Sequence, residues 1–181
     1  KEISQKVKTI EIEDLLERKP IVLDNKGISK QLKDKVILIT GAAGSIGSEI
    51  VRQVITFNPK LVIMLDQAET PLHHLQLEMG VLGSNVEVRT IIGDIRNEEA
   101  MDMVFKTYAP QVVFHAAAYK HVPLMEDNPC QAIFTNVAGT KLLADLSCLY
   151  KVKKFVMVST DKAVNPSNVM GASKRIAEKY V

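Results

Sequence analysis

The sequence is short of cysteine, of net charge and of long apolar runs, and each shortage excludes a class of protein. Its 181 residues include two cysteines, and 23 basic side chains nearly balance 21 acidic ones. Two cysteines cannot staple a disulfide-dense secreted scaffold. A formal charge of +2 is not the large positive charge that is typical of proteins that bind nucleic acid or an anionic membrane. Every apolar run is far shorter than the ~20 residues that cross a bilayer.

The cysteines and histidines do not form a metal-binding pattern. Cys130 and Cys148 lack the paired spacing of a zinc site, and we expect both to be buried thiols in a reducing cytoplasm. His73 and His74 are adjacent rather than at i, i+4, so no metal is expected. The charged start also lacks the apolar core of a secretory signal. The missing initiator methionine and the abrupt end at Val181 lead us to expect a longer parent protein.

Short runs rich in β-branched residues alternate with longer segments at helical spacing, which is typical of βαβ units and a parallel sheet. Helices are predicted between the runs, the longest over 129–149, and a last helix is predicted to begin near Asn168. The strands are predicted over residues 36–40, 61–65, 86–92, 112–116 and 154–159. We therefore expect an α/β domain over 36–181. Residues 1–35 form an N-terminal extension, in which EIEDLLER predicts a short helix and PIVLD an extended piece.

A glycine-rich loop, GAAGSIG, follows the first predicted strand and leads into an amphipathic helix. In this setting Gly41 permits the tight turn, Gly44 lets the backbone approach a pyrophosphate, and Gly47 lets the helix pack on the strand. The helix start, at Ser45 and Ile46, presents free N–H groups and the positive end of the helix dipole to the phosphates. The pattern predicts dinucleotide binding.

Acidic residues after the next two strands complete the predicted cofactor site. Asp66 follows the second strand, where a carboxylate accepts hydrogen bonds from the two ribose hydroxyls and repels a 2′-phosphate. Because residues 67–69 bring no arginine or lysine, NAD is favoured over NADP. In GDIRN, Asp94 can meet the adenine amino group while Ile95 packs on the ring. A helix cap for Asp66 and ordinary turn chemistry for Asp94 remain alternative interpretations.

Four segments carry a family resemblance: TGAAGSIG, GDIRN, HAAAYKHVPLME and above all VSTDKAVNPSNVMGASKRIAE. Together they resemble one branch of the extended short-chain dehydrogenase/reductases, the bacterial UDP-N-acetylglucosamine 4,6-dehydratases of surface-polysaccharide and glycan biosynthesis, in particular the long, membrane-anchored type. The resemblance runs from about Ile10 to Val181. It implies a Rossmann-like, doubly wound parallel sheet of strand order 3-2-1-4-5, truncated before a carboxyl-terminal substrate lobe. It also implies a homo-oligomer and a cytoplasmic domain whose parent is anchored in the inner membrane.

Most members of that superfamily carry a Tyr-x-x-x-Lys pair, whose tyrosine exchanges a proton with the hydroxyl being oxidised. In this sequence the matching frame begins at Met170 and ends at Lys174. A thioether cannot exchange a proton. Without the resemblance, this difference would suggest a binding-only domain. The long dehydratases share the substitution, and in them the chemistry is assigned to a Thr-Asp-Lys cluster.

By this resemblance, the reactive cluster is Thr160, Asp161 and Lys162. The reaction implied is an internal redox cycle, in which hydride leaves C4 of the sugar, a proton leaves C5, water leaves from C6 and the hydride returns to C6. Lys162 would take the C5 proton, which requires a lowered pKa that burial, the nicotinamide or Lys174 could supply. Asp161 would protonate the leaving hydroxyl, which requires a raised pKa in a closed site. Thr160 would hold or relay a proton at the C4 oxygen, and Lys174 would contact the nicotinamide ribose.

The segment after the fourth strand adds candidates for cofactor and substrate binding. Its small side chains, at Ala116, Ala117 and Ala118, leave room for the pyrophosphate and ribose. By the resemblance, Lys120 and His121 point into the crevice as candidate contacts to a UDP-sugar, against the alternative of solvated loop residues. Further along, Asn136 is expected to bond backbone in a structural role.

The sequence as a whole predicts the NAD-binding part of a UDP-N-acetylhexosamine 4,6-dehydratase. Two other interpretations stay open: a C4 epimerase or reductase on a nucleotide sugar, and a non-catalytic NAD-binding module, which the missing tyrosine favours. We expect no contact of this segment with nucleic acid or membrane. We also expect these 181 residues to bind cofactor but, alone, to turn over sugar nucleotide poorly.

Overall fold

The computed structural model describes residues 24–81 and 86–181, in which five parallel strands form one sheet of order β3-β2-β1-β4-β5. This is the predicted Rossmann-like order. The strands are β1 (Val36–Thr40), β2 (Leu61–Asp66), β3 (Glu87–Ile92), β4 (Val112–His115) and β5 (Lys154–Met157). The five predicted strands are therefore confirmed, with small differences at their ends.

Helices cover both faces of the sheet, and they are numbered in chain order. They are α1 (Asn25–Leu32), α2 (Ser45–Ile55), α3 (Glu69–Val81), α4 (Glu98–Tyr108), α5 (Val122–Asp127), α6 (Pro129–Ala132), α7 (Thr140–Leu149) and α8 (Val169–Tyr180). The start of α8 agrees with the predicted position, because the Asn168 side chain accepts a hydrogen bond from the N–H of Gly171 at 2.7 Å and so caps the helix.

Two apolar cores hold the helices against the sheet. Along β1, Ile37 and Ile39 face the core under α1, α2 and α3, whereas Leu38 faces the core under α4 and α7. All three side chains are fully buried, and each contributes about 1.5–3 kcal/mol. Apolar residues on both faces are expected for a central strand of a parallel sheet. This rigid centre holds the carboxyl ends of β1, β2 and β4 side by side.

The helix predicted over 129–149 is interrupted by a π-helix at Ile133–Gly139. The Thr140 hydroxyl donates to the carbonyl oxygen of Asn136 at 2.7 Å, while the Asn136 side chain bonds both backbone groups of Tyr119, at 2.9 and 3.0 Å. These side-chain bonds compete with regular helical hydrogen bonding. Asn136 therefore bonds backbone as expected, but from an irregular turn of helix.

Two helices were not predicted, and one expectation about side chains is wrong. The sequence pattern did not indicate α1 or α5, and the predicted short helix at 11–18 and the extended piece at 20–23 lie outside the described residues. Cys130 and Cys148 are exposed, not buried. Cys148 falls on the outer face of α7 because that helix buries Leu143, Leu146 and Ser147 instead.

Candidate functional site

Two adjoining cavities lie at the carboxyl ends of the strands. The first, of about 250 Å³, lies between the glycine loop and the residues that follow β2, β3 and β4. The second, of about 360 Å³, lies between the glycine loop, the end of β5 and α8. Gly44, Ala116, Ala118 and Tyr119 line both cavities. They therefore form one crevice, in the position where open α/β sheets bind ligands.

The glycine loop folds tightly at the centre of this crevice. Gly41 has φ +67°, a left-handed conformation that side chains rarely adopt. A Cβ at Gly47 would lie 1.9 Å from the carbonyl oxygen of Gly41, so the first turn of α2 packs directly on the loop. No side chain caps that helix, and Ser45 and Ile46 line the second cavity. The uncapped N–H groups and the helix dipole are suited to an anion such as a pyrophosphate.

Asp66 lies at the end of β2 and lines the first cavity. Its Oδ2 accepts from the N–H of Ala43 at 2.9 Å and its Oδ1 from the N–H of Ala68 at 3.0 Å. Each carboxylate oxygen has a second lone pair for another donor. The described residues that line this cavity include no lysine or arginine. The geometry therefore suits a pair of ribose hydroxyls better than a phosphate.

Asp94 and Ile95 also line the first cavity, and Arg96 already pairs with Asp94. The Arg96 Nη2 lies 2.6 Å from the Asp94 Oδ2, and the hydrogen bonding of this guanidinium holds the pKa of the Asp94 carboxyl below its usual range. Ile95 is buried against the π-helix, where a Cβ on Gly139 would lie 2.7 Å from its Cδ1. Asp94 is therefore an ionised acceptor beside an apolar wall, an arrangement that can hold a ring with an amino group.

Thr135 lines the first cavity and was missed by the sequence prediction. It is 6% exposed, and its hydroxyl has no hydrogen-bond partner among the described residues. A buried hydroxyl without a partner costs about 1–3 kcal/mol. Helical periodicity did not single out Thr135, because the π-helix changes which side chains face the sheet.

Lys174 and Met170 line the second cavity from α8. Lys174 is 5% exposed, and burial lowers its pKa to about 8, an effect that Glu178 opposes. Met170 is buried against Met125 and Ala132. The cavity wall thus presents a thioether where the superfamily pattern has a phenol, with one buried amine a turn further along the helix.

The Thr160–Lys162 turn is more open than its predicted role requires. Thr160 and Lys162 line the second cavity, but Asp161 does not. The Asp161 side chain is 86% exposed and the Lys162 side chain 49% exposed, with 3.2 Å between Lys162 Nζ and Asp161 Oδ1.

The electrostatics at Asp161 run against the expectation for a proton donor. Hydrogen bonds from Thr160 and Lys162 lower the pKa of Asp161, whereas the role requires a raised one. The expected raised pKa is therefore wrong for the described arrangement, because solvent reaches the carboxylate and a cation lies beside it. The Lys162 side chain is likewise about half exposed and lies beside the Asp161 carboxylate.

The small residues after β4 lie where they were predicted. Ala116, Ala117 and Ala118 line the first cavity, and a Cβ on Gly41 would lie 2.5 Å from the backbone nitrogen of Ala117. Lys120 lines the second cavity. His121 is exposed at the start of α5 and lines neither cavity, so the structure does not show it pointing into the crevice. Its contact with substrate stays a prediction.

The described ranges 24–81 and 86–181 contain neither a metal-binding cluster nor a membrane-spanning helix. No cluster of three or more His, Cys, Asp or Glu side chains in these ranges can hold a metal ion. No helix in the same ranges is long and apolar enough to cross a membrane.

Comparison with known proteins gives matches over most of the chain. A family model described as "Polysaccharide biosynthesis protein" matches residues 37–181. The capsular polysaccharide biosynthesis protein CapD of Staphylococcus aureus is 49% identical over 97% of this chain, which spans 29% of CapD. The UDP-glucose 4-epimerase of Rickettsia canadensis is 39% identical and the UDP-N-acetylglucosamine 4,6-dehydratase (inverting) of Campylobacter jejuni 36%, over 81% and 80% of this chain. The chain spans 42% of each of these two relatives.

Solved structures share the fold at similar coverage. Pen from Bacillus thuringiensis superposes with a TM-score of 0.76 at 38% identity, over 82% of this chain and 46% of that one. The UDP-glucose 4-epimerase of Thermus thermophilus, in complex with NAD, has a TM-score of 0.67 at 25% identity, over 80% of this chain and 49% of that one. Structural neighbours of this chain thus include an NAD-bound enzyme that acts on a nucleotide sugar.

Proposed function

The chain belongs to the polysaccharide biosynthesis protein family, and on that premise we propose that it forms the NAD-binding part of a nucleotide-sugar 4,6-dehydratase. The substrate would be a UDP-N-acetylhexosamine and the product its 4-keto-6-deoxy derivative. The observation that carries the proposal is Met170 at the position of the superfamily tyrosine, in one cavity with Thr160, Lys162 and Lys174.

Two features of the crevice support dinucleotide binding. The start of α2, which no side chain of the described residues caps, suits the pyrophosphate, and Asp66 suits the adenosine ribose. Lys174, at the far end of the crevice, would contact the nicotinamide ribose. NAD, when bound, would supply a reversible acceptor for the hydride that leaves C4 and returns to C6. The described residues that line the first cavity include no lysine or arginine to bind a 2′-phosphate, so NAD is favoured over NADP.

The chain's own polar groups would then move the protons. Thr160 would hold the C4 oxygen and relay the proton that it loses with the hydride, and Asp161 would protonate the departing C6 hydroxyl. Lys162 would remove the C5 proton, and a proton would return to C5 when the hydride reaches C6. Met170 cannot exchange a proton, so it would serve as an apolar wall. Asp161 must gain cover before it can hold a proton at neutral pH. We therefore expect these 181 residues alone to turn over sugar nucleotide poorly, and appreciable activity from this chain would contradict that expectation.

An isotope experiment separates dehydration from epimerisation. The longest form of the protein that contains these residues is incubated with NAD and UDP-N-acetylglucosamine in D₂O, and the sugar is followed by NMR. Dehydration yields a 4-keto-6-deoxy product that carries deuterium at C5, because the C5 proton is removed during the reaction. Epimerised sugar with protium retained at C5 would overturn the dehydratase proposal. Unchanged sugar under conditions that support NAD binding would also count against it.

The role of Lys162 has its own test. Lys162→Met should abolish turnover and leave the affinity for NAD within about twofold, because Lys162 is assigned to the sugar and not to the cofactor. Lys179→Met is the matched control, since Lys179 is an exposed lysine at the end of α8 and lines neither cavity. Equal activity of Lys162→Met and wild type would contradict the assigned role.

A nucleotide-sugar C4 epimerase is the second candidate, and the 39% identity to a UDP-glucose 4-epimerase favours it. It would need a proton donor at C4, which Met170 cannot provide and Thr160 would have to replace. A non-catalytic NAD-binding module is the third, and NAD binding without any sugar chemistry would support it. Self-association stays a prediction whose test is the oligomeric state in solution.

A further inference from the structure

His115 is a buried titratable residue that the proposed function leaves without a role. It is the last residue of β4 and is fully buried. Its Nδ1 lies 2.7 Å from the hydroxyl of Thr40, the last residue of β1, and its Nε2 lies 2.8 Å from the hydroxyl of Thr140, the first residue of α7. One ring thus joins two hydroxyls on different elements, and Thr40 directly precedes the glycine loop.

The neighbouring bonds fix which ring nitrogen carries the proton. The Thr140 hydroxyl has one proton and donates it to the carbonyl oxygen of Asn136 at 2.7 Å. It must therefore accept from His115 Nε2, so the ring is protonated at Nε2 and its Nδ1 accepts from Thr40. Burial, together with the charge of Lys174, lowers the pKa of His115 to about 3. The ring stays neutral near pH 7, with one donor and one acceptor.

The same chain of hydrogen bonds continues to the helix that carries Lys174. The Asn136 Nδ2 donates to the Ser173 Oγ at 2.9 Å, and the Ser173 hydroxyl donates to the carbonyl oxygen of Met170 at 2.7 Å. Every side chain in the series Thr40, His115, Thr140, Asn136 and Ser173 is fully buried. A buried network in which every member has its partners is rigid, because an unpaired member is costly. We call these five residues the internal brace.

We propose that His115 is a positioning residue, which holds the glycine loop and the Lys174 helix at a fixed separation through the internal brace. The inference rests on the proposed function in one respect, namely that a dinucleotide lies along the crevice. The glycine loop would bind its pyrophosphate and Lys174 its nicotinamide ribose, so the separation of these two elements sets how well both ends bind at once. His115 touches neither end itself.

The test compares two ligands on wild type and His115→Phe. ADP reaches only the adenosine and pyrophosphate end, whereas NAD spans both ends. We expect His115→Phe to weaken NAD binding by about tenfold, the equivalent of one buried hydrogen bond, and to change ADP binding by less than about twofold. His115→Gln should recover most of the NAD affinity, because its amide nitrogen can donate to Thr140 while its carbonyl oxygen accepts from Thr40. Calorimetric titration measures both dissociation constants.

A second pair of variants keeps the test valid if His115→Phe fails to fold. Thr140→Val removes the acceptor for His115, and Ser147→Ala is its control. Ser147 is a buried residue of α7 whose hydroxyl donates to the Leu143 carbonyl at 2.7 Å and has no link to the internal brace. Thr140→Val should weaken NAD binding selectively, and Ser147→Ala should not.

The outcomes separate this inference from the proposed function. Parallel losses of NAD and ADP affinity would show a merely structural role for His115 and overturn the inference. Unchanged NAD affinity in both His115→Phe and Thr140→Val would overturn it as well, while the proposed cofactor site stood. A wild-type chain that binds ADP but not NAD, or neither ligand, would overturn the cofactor proposal and this inference with it.

Discussion

The two ends of the crevice differ in how completely the described residues build them. At the first cavity, Asp66 is held by two backbone N–H groups, and the buried hydroxyl of Thr135 has no partner among the described residues. On the Thr160–Lys162 turn beside the second cavity, the Asp161 side chain is 86% exposed and does not line the cavity. The difference teaches that the sheet itself positions the residues of the proposed cofactor site, whereas the proposed acid chemistry needs a cover over the Thr160–Lys162 turn.

Electrostatics show a second contrast, between one group that lines the second cavity and one that lies beside it. Burial lowers the pKa of Lys174 to about 8, because surroundings that exclude water disfavour the charged form of the amine. The pKa of Asp161 is lowered too, but by a hydroxyl and a cation in solvent, which keeps the carboxylate ionised. The buried Lys174 therefore lines the second cavity, while the solvent-exposed Asp161 lies beside it.

The largest expected effect tests the packed glycine loop. Gly47→Ala places a Cβ 1.9 Å from the carbonyl oxygen of Gly41, and because the obstacle is backbone the loop must move. We expect the free energy of unfolding to fall by about 3 kcal/mol or more, and NAD affinity to fall with it. Urea unfolding and calorimetric titration measure the two losses.

The matched control for that variant is Gly80→Ala. Gly80 also lies in a helix, α3, but a Cβ there would meet no atom of the described residues within 4 Å. Alanine is the better helix former by about 0.5–1 kcal/mol, so this variant should be neutral or slightly stabilising. Equal stability of the two variants would contradict the close packing of loop and helix.

The next effect tests the burial of Lys174 through pH. The folded pKa of about 8 lies below the ordinary lysine value of 10.5, so between these values the unfolded chain binds more protons and stability rises with pH. Relative to Lys174→Met, which cannot titrate, the wild-type chain should gain about 2 kcal/mol between pH ~7.5 and ~10. Urea unfolding of both proteins at the two pH values measures the gain. A constant difference would mean that Lys174 is solvated.

The sequence predicted the elements that depend on periodicity and on local backbone geometry. Five apolar runs predicted five strands, and the glycine spacing predicted a turn that only small residues fit. The structure places Gly41 and Asp66 in one cavity because parallel strands end at the same edge, and α8 brings Lys174 to the adjoining cavity. The assigned roles of these residues in binding stay predictions, but the proximity of Gly41 and Asp66 followed from the strand order.

Features that depend on tertiary contacts were beyond the sequence pattern. The π-helix contains Asn136, whose side chain bonds the backbone of Tyr119 in a distant part of the chain, and helical periodicity cannot encode such a contact. Thr135 was missed for the same reason. The pKa of Asp161 was wrong in direction because the motif specifies residue types and not solvent exposure. The exposed cysteines show the same dependence on which helix face packs inward.

A smaller effect tests the selectivity for NAD over NADP at Asp66, in the first cavity. Asp66→Asn removes the negative charge while keeping one oxygen acceptor, so we expect NAD affinity to fall about tenfold, since a hydrogen bond to a charged group contributes about 1.5–3 kcal/mol. The preference for NAD over NADP should also narrow, because the repulsion of a 2′-phosphate is lost. Parallel titrations with both cofactors measure this. Glu69→Gln, an exposed carboxylate nearby that does not line the cavity, should leave both affinities unchanged.

The smallest expected effect is at the open end of the crevice. Asp161→Asn removes an ion pair with Lys162 whose members are largely in solvent, and such pairs contribute about 0–1 kcal/mol. We therefore expect the free energy of unfolding of this chain to change by less than about 0.5 kcal/mol, and NAD affinity by less than about twofold. Denaturation in low and high salt checks the first value, since any residual contribution should vanish in high salt. A salt-independent loss of stability would instead mean that Asp161 is held away from solvent. The two ends of the crevice would then not differ in how completely the described residues build them.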